Sequence, residues 1–353
     1  MSESLHPFLS FAVEPASPSD DGSVEILFIV HNEGHTPVNL LKRNTPLEGL
    51  LTDCLIVLVN GKKVPYDGKL VKRGDPEPDE FVVIPAGGNV NAKVDLTDGY
   101  HIEPGAEVEV SFDPRKIVIA DFENRTLALY RKRTGNKAAR IATASGTARF
   151  TVHQPNIKPT PGEQHRSWDT DPGKKKLNFN RAGGTLMMPE VIGGDAVTEQ
   201  LIRSVHRECY RLVKRALKKL REKDARQYRY WFDRENSPIR KAKVVEVYQK
   251  IKQRMEEVVF RYDVTGTGCG RGHVWGYTFH GSRSIWLCVA FWTSPFTGNN
   301  SQAGTFVHEH SHASANTEDH DYSEAFCSLM AKEDPDLAID NADNYEFFAE
   351  RQV

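Results

Sequence analysis

The sequence predicts an α+β chain of two dissimilar halves: an N-terminal all-β sandwich over residues 1–154, and a mostly helical domain with a small sheet over 195–353. Three observations carry this. Short apolar, β-branched runs recur through the first half between turn-rich stretches. Apolar residues recur every three or four positions in the second. The stretch between them, 155–194, has no sustained period and reads as a linker. A length of 353 residues suits two domains so joined.

In the first half the strand candidates are SVEILFIV, CLIVLV, EFVVIP, EVEVSF and ARFTV. Asn60-Gly61, between CLIVLV and KKVPY, is a hairpin signal because both residues accept positive φ. No long helix and no reactive constellation is apparent there, and His31 and His35 read as surface residues beside a turn. The pattern is that of a small β-sandwich. The linker is rich in Pro, Gly and charge, with Lys174-Lys175-Lys176 in its middle as an accessible basic site.

Beyond Gly194, Leu201, Val205, Cys209, Leu212, Ala216 and Leu220 fall on one face of a helix that Asp195 or Thr198 caps. Ser237-Pro238 opens a second helix, with Val244, Tyr248, Ile251, Met255 and Val258 as its buried stripe. SIWLCVAFW, residues 284–292, reads as a strand. GTFVHEHSH lies on a third helix, and YSEAFCSLMAKE on a fourth that stops before Pro335.

Charge and composition narrow the function. A formal net charge of −2 gives no electrostatic reason to expect nucleic acid or anionic membrane as a partner. No run of eighteen apolar residues is present, so no transmembrane span is expected. The start, MSESLHPFLSFAVEPAS, lacks the basic patch and apolar core of a signal peptide. Three readings stay open: a protein that remains inside, one exported by a route needing no such segment, and a chain that begins after one. Of five cysteines, Cys54 and Cys209 read as buried thiols. Cys269 and Cys288 bracket a Gly-rich loop and the strand after it, which allows a bridge in an oxidising compartment.

The central observation is His308-Glu309-His310-Ser311-His312. Residues four apart share a helix face, so His308 and His312 can present imidazole nitrogens to one zinc ion. Glu309 then lies close by, able to take a proton from the attacking water and deliver it to a leaving amine. A catalytic zinc needs a third protein ligand and an open fourth position. A metzincin arrangement would need glycine at 315 and histidine at 318, where this chain has Ala315 and Glu318. Glu324 follows His312 too closely for a thermolysin-like layout. Asp319, held by a short loop after the helix, is the better ligand. His310 and His320 are expected to face solvent or to lie behind the ligands.

From about Tyr228 onward the chain resembles the aspzincins, the deuterolysin and peptidyl-Lys metalloendopeptidase group. In that family the two histidines are followed by Gly-Thr-x-Asp-x-x-Tyr-Gly, whose aspartate is the third zinc ligand. Here Thr317, Asp319 and Tyr322 match, while Asn316 and Ser323 replace both glycines. The resemblance implies a zincin-like catalytic domain, with Tyr322 donating to the oxyanion formed during attack. Tyr230-Trp231-Phe232, the run from Ile285 to Trp292, and Ala303-Gly304-Thr305 also look like family segments. So does the run from Asn341 to Phe348, which in the lysine-specific branch supplies acidic residues to the pocket for the residue after the cut. Those positions are Asp343 and Glu346 here, and a partly buried carboxylate pair favours a lysine ammonium. Cys269 and Cys288 fall where the family carries a disulfide; a second family bridge has no evident partners in this chain.

The resemblance therefore implies a zinc-dependent endopeptidase acting on protein or peptide substrates, with the cut on the N-terminal side of lysine. Some bacterial members that look like this chain carry an N-terminal β-rich propeptide, and by that likeness residues 1–154 would be an intramolecular prodomain and the linker an activation site. That reading favours a secreted or exported protein, with a cytoplasmic one still open. Two rivals stand beside it: an active protease with a permanent β-sandwich targeting module, and a binding protein with an inactive protease-like domain.

Overall fold

A computed structural model of the chain describes residues 9–17, 19–74, 76–112, 114, 117–120, 127–129, 142–168, 184–270 and 273–351. Its residues divide into two units. One comprises Met1–Lys69 and Pro76–Gln164; the other comprises Leu70–Asp75 and His165–Val353.

The first half reads out its strands by alternation. In EILFIVHN every second residue, from Ile26 to Asn32, is buried, which makes β2 a two-faced strand. In chain order the strands are β1 (Leu9–Pro15), β2 (Glu25–Asn32), β3 (Val38–Leu41), β4 (Leu55–Val59), β5 (Lys62–Lys63), β6 (Leu70–Arg73), β7 (Phe81–Ile84), β8 (Asn89–Asp95), β9 (Glu107–Phe112), β10 (Val118–Ala120), β11 (Leu127–Leu129), β12 (Ala142–Ser145) and β13 (Ala148–Thr151). All five strand candidates of the sequence are among them. Asn60 and Gly61 turn β4 into β5 with φ of 51° and 76°. Three four-stranded sheets result, in the orders β12-β1-β2-β8, β11-β10-β3-β7 and β13-β9-β4-β5, where a simple sandwich needs only two. Phe11 and Phe28 of the first meet Phe112 of the third at 4.9 Å between ring centres, which is how two of these sheets share a core. Strand β6 belongs to none of the three.

The expected linker is not uniformly irregular. It contains helix α1 (Pro161–Trp168) and strand β14 (Glu190–Ile192), both too short to leave a sequence period. The Lys174–Lys176 run lies outside the described residues.

The second unit continues with α2 (Ala196–Arg221), α3 (Arg226–Trp231), α4 (Pro238–Glu257), β15 (Arg261–Asp263), β16 (Val274–Thr278), β17 (Ser284–Leu287), α5 (Val289–Thr293), α6 (Gln302–Ala315), α7 (Glu324–Glu333), α8 (Pro335–Ala338) and α9 (Ala342–Glu350). Of the two candidate caps for α2, Asp195 acts, accepting from Thr198 N at 2.8 Å. Ser237 does not cap α4 with its side chain. Asp233 instead holds that entry, accepting from Glu235 N at 3.0 Å and Ser237 N at 2.7 Å. The run expected as one strand over 284–292 is strand only to Leu287. At Cys288, whose N–H bonds Trp275 O at 2.8 Å, the chain turns into α5, leaving Val289 exposed and Phe291 in the core. The sheet runs β14-β15-β17-β16-β6, parallel across its first two pairings and antiparallel across the last two. Helix α6 is the axis of the unit: from Gln302 to Ala313 every residue is buried, polar ones included.

Candidate metal centre

A helix whose polar residues are all buried must satisfy them internally. On one flank of α6, His310 does so through its Nε2. Among the described residues the hydrogen-bond partner of His206 Nε2 is the carbonyl of Met187, at 3.1 Å, so it donates there and its Nδ1 accepts from Tyr262 Oη at 2.7 Å. The Tyr262 oxygen then accepts from His310 Nε2 at 2.8 Å. This neutral chain ties α2 and β15 to the back of α6. His310 is therefore a core residue, and not the solvent-facing or ligand-supporting side chain that the sequence suggests; a helix reverses direction within two positions. Burial pushes the imidazole of His310 well below its ordinary range.

On the other flank His308 and His312 stand one turn apart, with their Nε2 atoms 3.0 Å from each other. Helix α6 ends at Asn316, in the left-handed region at φ 58° and ψ 42°, with its N–H returned to His312 O. Asparagine is the best non-glycine residue for that conformation, so the loss of the family's first glycine leaves the turn intact. The second replacement is equally accommodated: Ser323 has φ of −90° and caps α7 by accepting from Phe326 N at 3.3 Å. Between these points the loop is pinned to the start of α9. Glu318 N bonds Asp340 O, Ala342 N bonds Glu318 O, and Asn341 Oδ1 accepts from His320 N and Asp321 N. The result sets Asp319 Oδ1 3.3 Å from Nε2 of both His308 and His312.

These three atoms share one electronic character. His312 Nδ1 donates to Thr317 O at 2.6 Å, which leaves a lone pair on its Nε2. His308 Nδ1 faces Asp343 Oδ2 at 3.3 Å and Glu346 Oε2 at 3.7 Å, which puts the ring proton on that side as well. Two lone pairs and an anionic oxygen thus converge in the interior. No hydrogen bond reaches either carboxylate oxygen of Asp319 or of Glu309 from the described residues. A tetrahedral zinc site with ligand bonds of about 2.0–2.2 Å has edges of about 3.4 Å, close to the 3.0, 3.3 and 3.3 Å here. The donor set fits zinc.

The carboxylates around His308 favour positive charge at this point, so a proton on His308 competes with the metal for the Nε2 lone pair. Burial alone would lower His308, but the carboxylates of Asp343 and Asp319 outweigh it and hold the imidazole at about 10. Burial would raise Asp319, yet His312 and His308 keep it well below the usual carboxylate range. Glu309 is pushed up to about 8 by burial, opposed by His308.

Glu309 has space only because position 276 is glycine. A Cβ there would lie 2.9 Å from Trp286 O and 3.2 Å from Glu309 Oε1. Beside it, α9 carries Asp343 and Glu346 in its first turns, both fully buried. Gly304 of α6 leaves room for Glu346 and its neighbour Glu350: a Cβ there would collide with Glu350 Oε1 and lie 3.0 Å from Glu346 Oε1. Lys72 of β6 enters this acidic site, its Nζ 2.9 Å from Asp343 Oδ1 and 2.6 Å from Glu346 Oε2. Burial opposes the ammonium charge, but the two carboxylates outweigh it and hold Lys72 above its ordinary range. Glu346, raised to about 8 by burial, is drawn down by Lys72.

Tyr322 is half-buried in the loop after Asp319, with the Arg73 guanidinium 5.7 Å from its ring centre. His320 pairs with Asp340 at 3.0 Å. Cys269 and Cys288 are bonded, 19 positions apart, while Cys54, Cys209 and Cys327 are buried outside any disulfide. The structure thus gathers His308, Glu309, His312, Asp319, Asp343 and Glu346 into one buried cluster. Lys72, Gly276 and the carbonyl of Thr317 escaped the sequence reading. A lone lysine in a β-rich half and a strand glycine carry no local signal.

In sequence the chain is similar to known metalloendopeptidases. The family described as lysine-specific metallo-endopeptidase, the aspzincins, matches residues 217–350. The peptidyl-Lys metalloendopeptidase of Grifola frondosa is 32% identical over 228 residues, 60% of this chain; the match spans 64% of that relative's length. An extracellular protease of Aeromonas hydrophila is 24% identical over 333 residues, covering 93% of this chain and 88% of the relative. Among solved structures, a zinc peptidase from Grifola frondosa aligns with 45% of this chain and 97% of its own, at 30% identity and a TM-score of 0.41.

Proposed function

Because the chain belongs to the aspzincin family of zinc metalloendopeptidases, we propose that it hydrolyses peptide bonds on the N-terminal side of lysine and is made as a latent precursor. The observation that carries the lysine preference is the buried pair Asp343 and Glu346, which already holds one lysine ammonium at 2.9 and 2.6 Å. A neutral side chain in that place would leave two adjacent carboxylates buried without a counter-charge, at a cost of several kcal/mol.

His308, His312 and Asp319 would hold the zinc, which supplies a Lewis acid for the scissile carbonyl and acidifies the attacking water. Glu309 takes that water's proton and returns it to the leaving amine, a double duty suited to a carboxyl group raised toward neutral pH. Tyr322, matching the family's tyrosine, donates to the carbonyl oxygen as negative charge develops. Asp343 and Glu346 bind the substrate lysine and so fix which bond lies over Glu309.

The precursor reading assigns residues 1–154 as a prodomain and 155–194 as the segment cut on activation, with Lys174–Lys176 as the candidate site. Export is supported by the name of the Aeromonas hydrophila relative and by the bonded Cys269–Cys288 pair. Among the described residues no helix is long and apolar enough to cross a membrane.

The test is digestion of an unfolded protein with and without a chelator, each new N-terminus being mapped by mass spectrometry. Termini that begin with lysine and vanish with chelator are expected. Chelator-sensitive cuts without lysine would remove the role of Asp343 and Glu346, and no cuts by any form of the chain would remove the enzyme reading.

A further inference from the structure

Strand β6 is four residues of the N-terminal half that belong to the other unit: the chain on both sides of Leu70–Asp75 groups with the first. It lies antiparallel to β16, with Leu70 opposite Thr278, Val71 opposite Tyr277 and Lys72 opposite Gly276. Gly74 N extends the pairing to His273 O at 3.2 Å. Leu70, Val71, Lys72 and Arg73 are each no more than 5% exposed, unusual for an edge strand.

Two features of this strand are those of a bound peptide. Its backbone adds to the sheet through β16, the edge that an extended substrate would use for strand addition. Its one ammonium sits on Asp343 and Glu346, with Trp275 5.7 Å away beneath the charge. The register links the two: the residue opposite Lys72 is Gly276, whose missing side chain makes room for the Glu309 carboxylate. A lysine in the acidic site therefore lies across from the carboxylate that would handle the proton. Backbone edge and charge site can each hold one occupant.

We propose that Leu70–Arg73 is a built-in competitor of the substrate, with Lys72 filling the lysine site, so that the site opens only when this strand leaves and not when the linker is cut. The proposal rests on reading Asp343 and Glu346 as the lysine site. A tethered occupant acts at an effective concentration on the order of millimolar, against peptide KM values of about 1 μM to 1 mM. For a KM of about 0.1 mM, within that range, suppression of kcat/KM of about tenfold follows.

The experiment uses the full-length chain loaded with zinc and a fluorogenic peptide containing a single lysine, with chain integrity followed by intact mass. Lys72→Met keeps the aliphatic stem and removes the ammonium. It is expected to raise initial kcat/KM about tenfold while the chain is still uncut. Equal rates for a folded K72M and the intact wild type, both cutting before lysine, would overturn the proposal and leave the lysine-peptidase reading standing. Lysine bonds uncut by every form, processed chain included, would sink that reading and the proposal with it. Should K72M melt early, the wild type decides through hydrogen exchange. Activity should appear together with loss of protection at residues 70–73, and full activity with that segment still protected would overturn the proposal.

Discussion

Asp343 Oδ2 lies 3.3 Å from His308 Nδ1, while the other oxygen of the same carboxylate accepts from Lys72 Nζ at 2.9 Å. One side chain thus orients a metal-facing imidazole and forms a wall of the proposed lysine site. Asp343→Asn preserves size and removes the charge. Zinc affinity should fall by about 10–100-fold, as for other carboxylate partners of liganding histidines, and the preference for lysine over norleucine should fall with it. Competition with a chromophoric chelator measures the first, and paired kcat/KM values measure the second. Losing only one of the two would separate the roles.

Glu309 and Asp319 should part under mutation. Glu309→Gln keeps the three atoms that face the metal and removes the proton acceptor, so zinc content should stay near one per chain. Turnover should drop by about 10²–10⁴-fold. Asp319→Ala should lose metal and turnover together. Metal analysis beside kcat on the same samples decides, and a Glu309→Gln enzyme with normal turnover would refute the assigned base.

Gly276 is expected to be intolerant for a reason of space. In Gly276→Ala the new methyl would sit 2.9 Å from a backbone oxygen and 3.2 Å from Glu309 Oε1, so the β16–β17 pairing or the carboxylate must shift. A displacement of the order of 1 Å can cost about 10²-fold in rate. The expected signature is a fall in kcat toward that size with zinc content unchanged, and an unaltered kcat would show that the carboxylate has room to give.

The neutral chain behind α6 gives a pH dependence. Burial lowers His206 from 6.5 to about 4. The unfolded chain takes up this proton near pH 6.5 and the folded chain only near 4, so the folded state's advantage is complete above 6.5. It drains away as pH falls through that window, by about 3 kcal/mol. Urea unfolding of wild type and His206→Gln from pH 7.5 to 4.5 should show a shallower decline in the variant. Parallel curves would mean that His206 titrates normally. Tyr262→Phe should cost about 2–4 kcal/mol at pH 7.5, since it strands His206 Nδ1 and His310 Nε2.

Much of this protein is written locally. The alternation in EILFIVHN, the three-and-four spacing from Val205 to Leu220, the turn at Asn60-Gly61 and the histidines one helical turn apart each express a rule that acts over a few residues. Such rules determined the strands, the main helices and the amino acids that converge on the metal centre. The tertiary structure decided what depends on neighbours distant in sequence. It set His310 in the core against Tyr262, ended the 284–292 strand at Cys288 and drew three sheets from the first half. It also carried Lys72 across 271 positions to Asp343. A lysine in a short strand bears no mark of its destination. Only the pairing of β6 with β16, and the unbalanced charge of two buried carboxylates, give that residue its place.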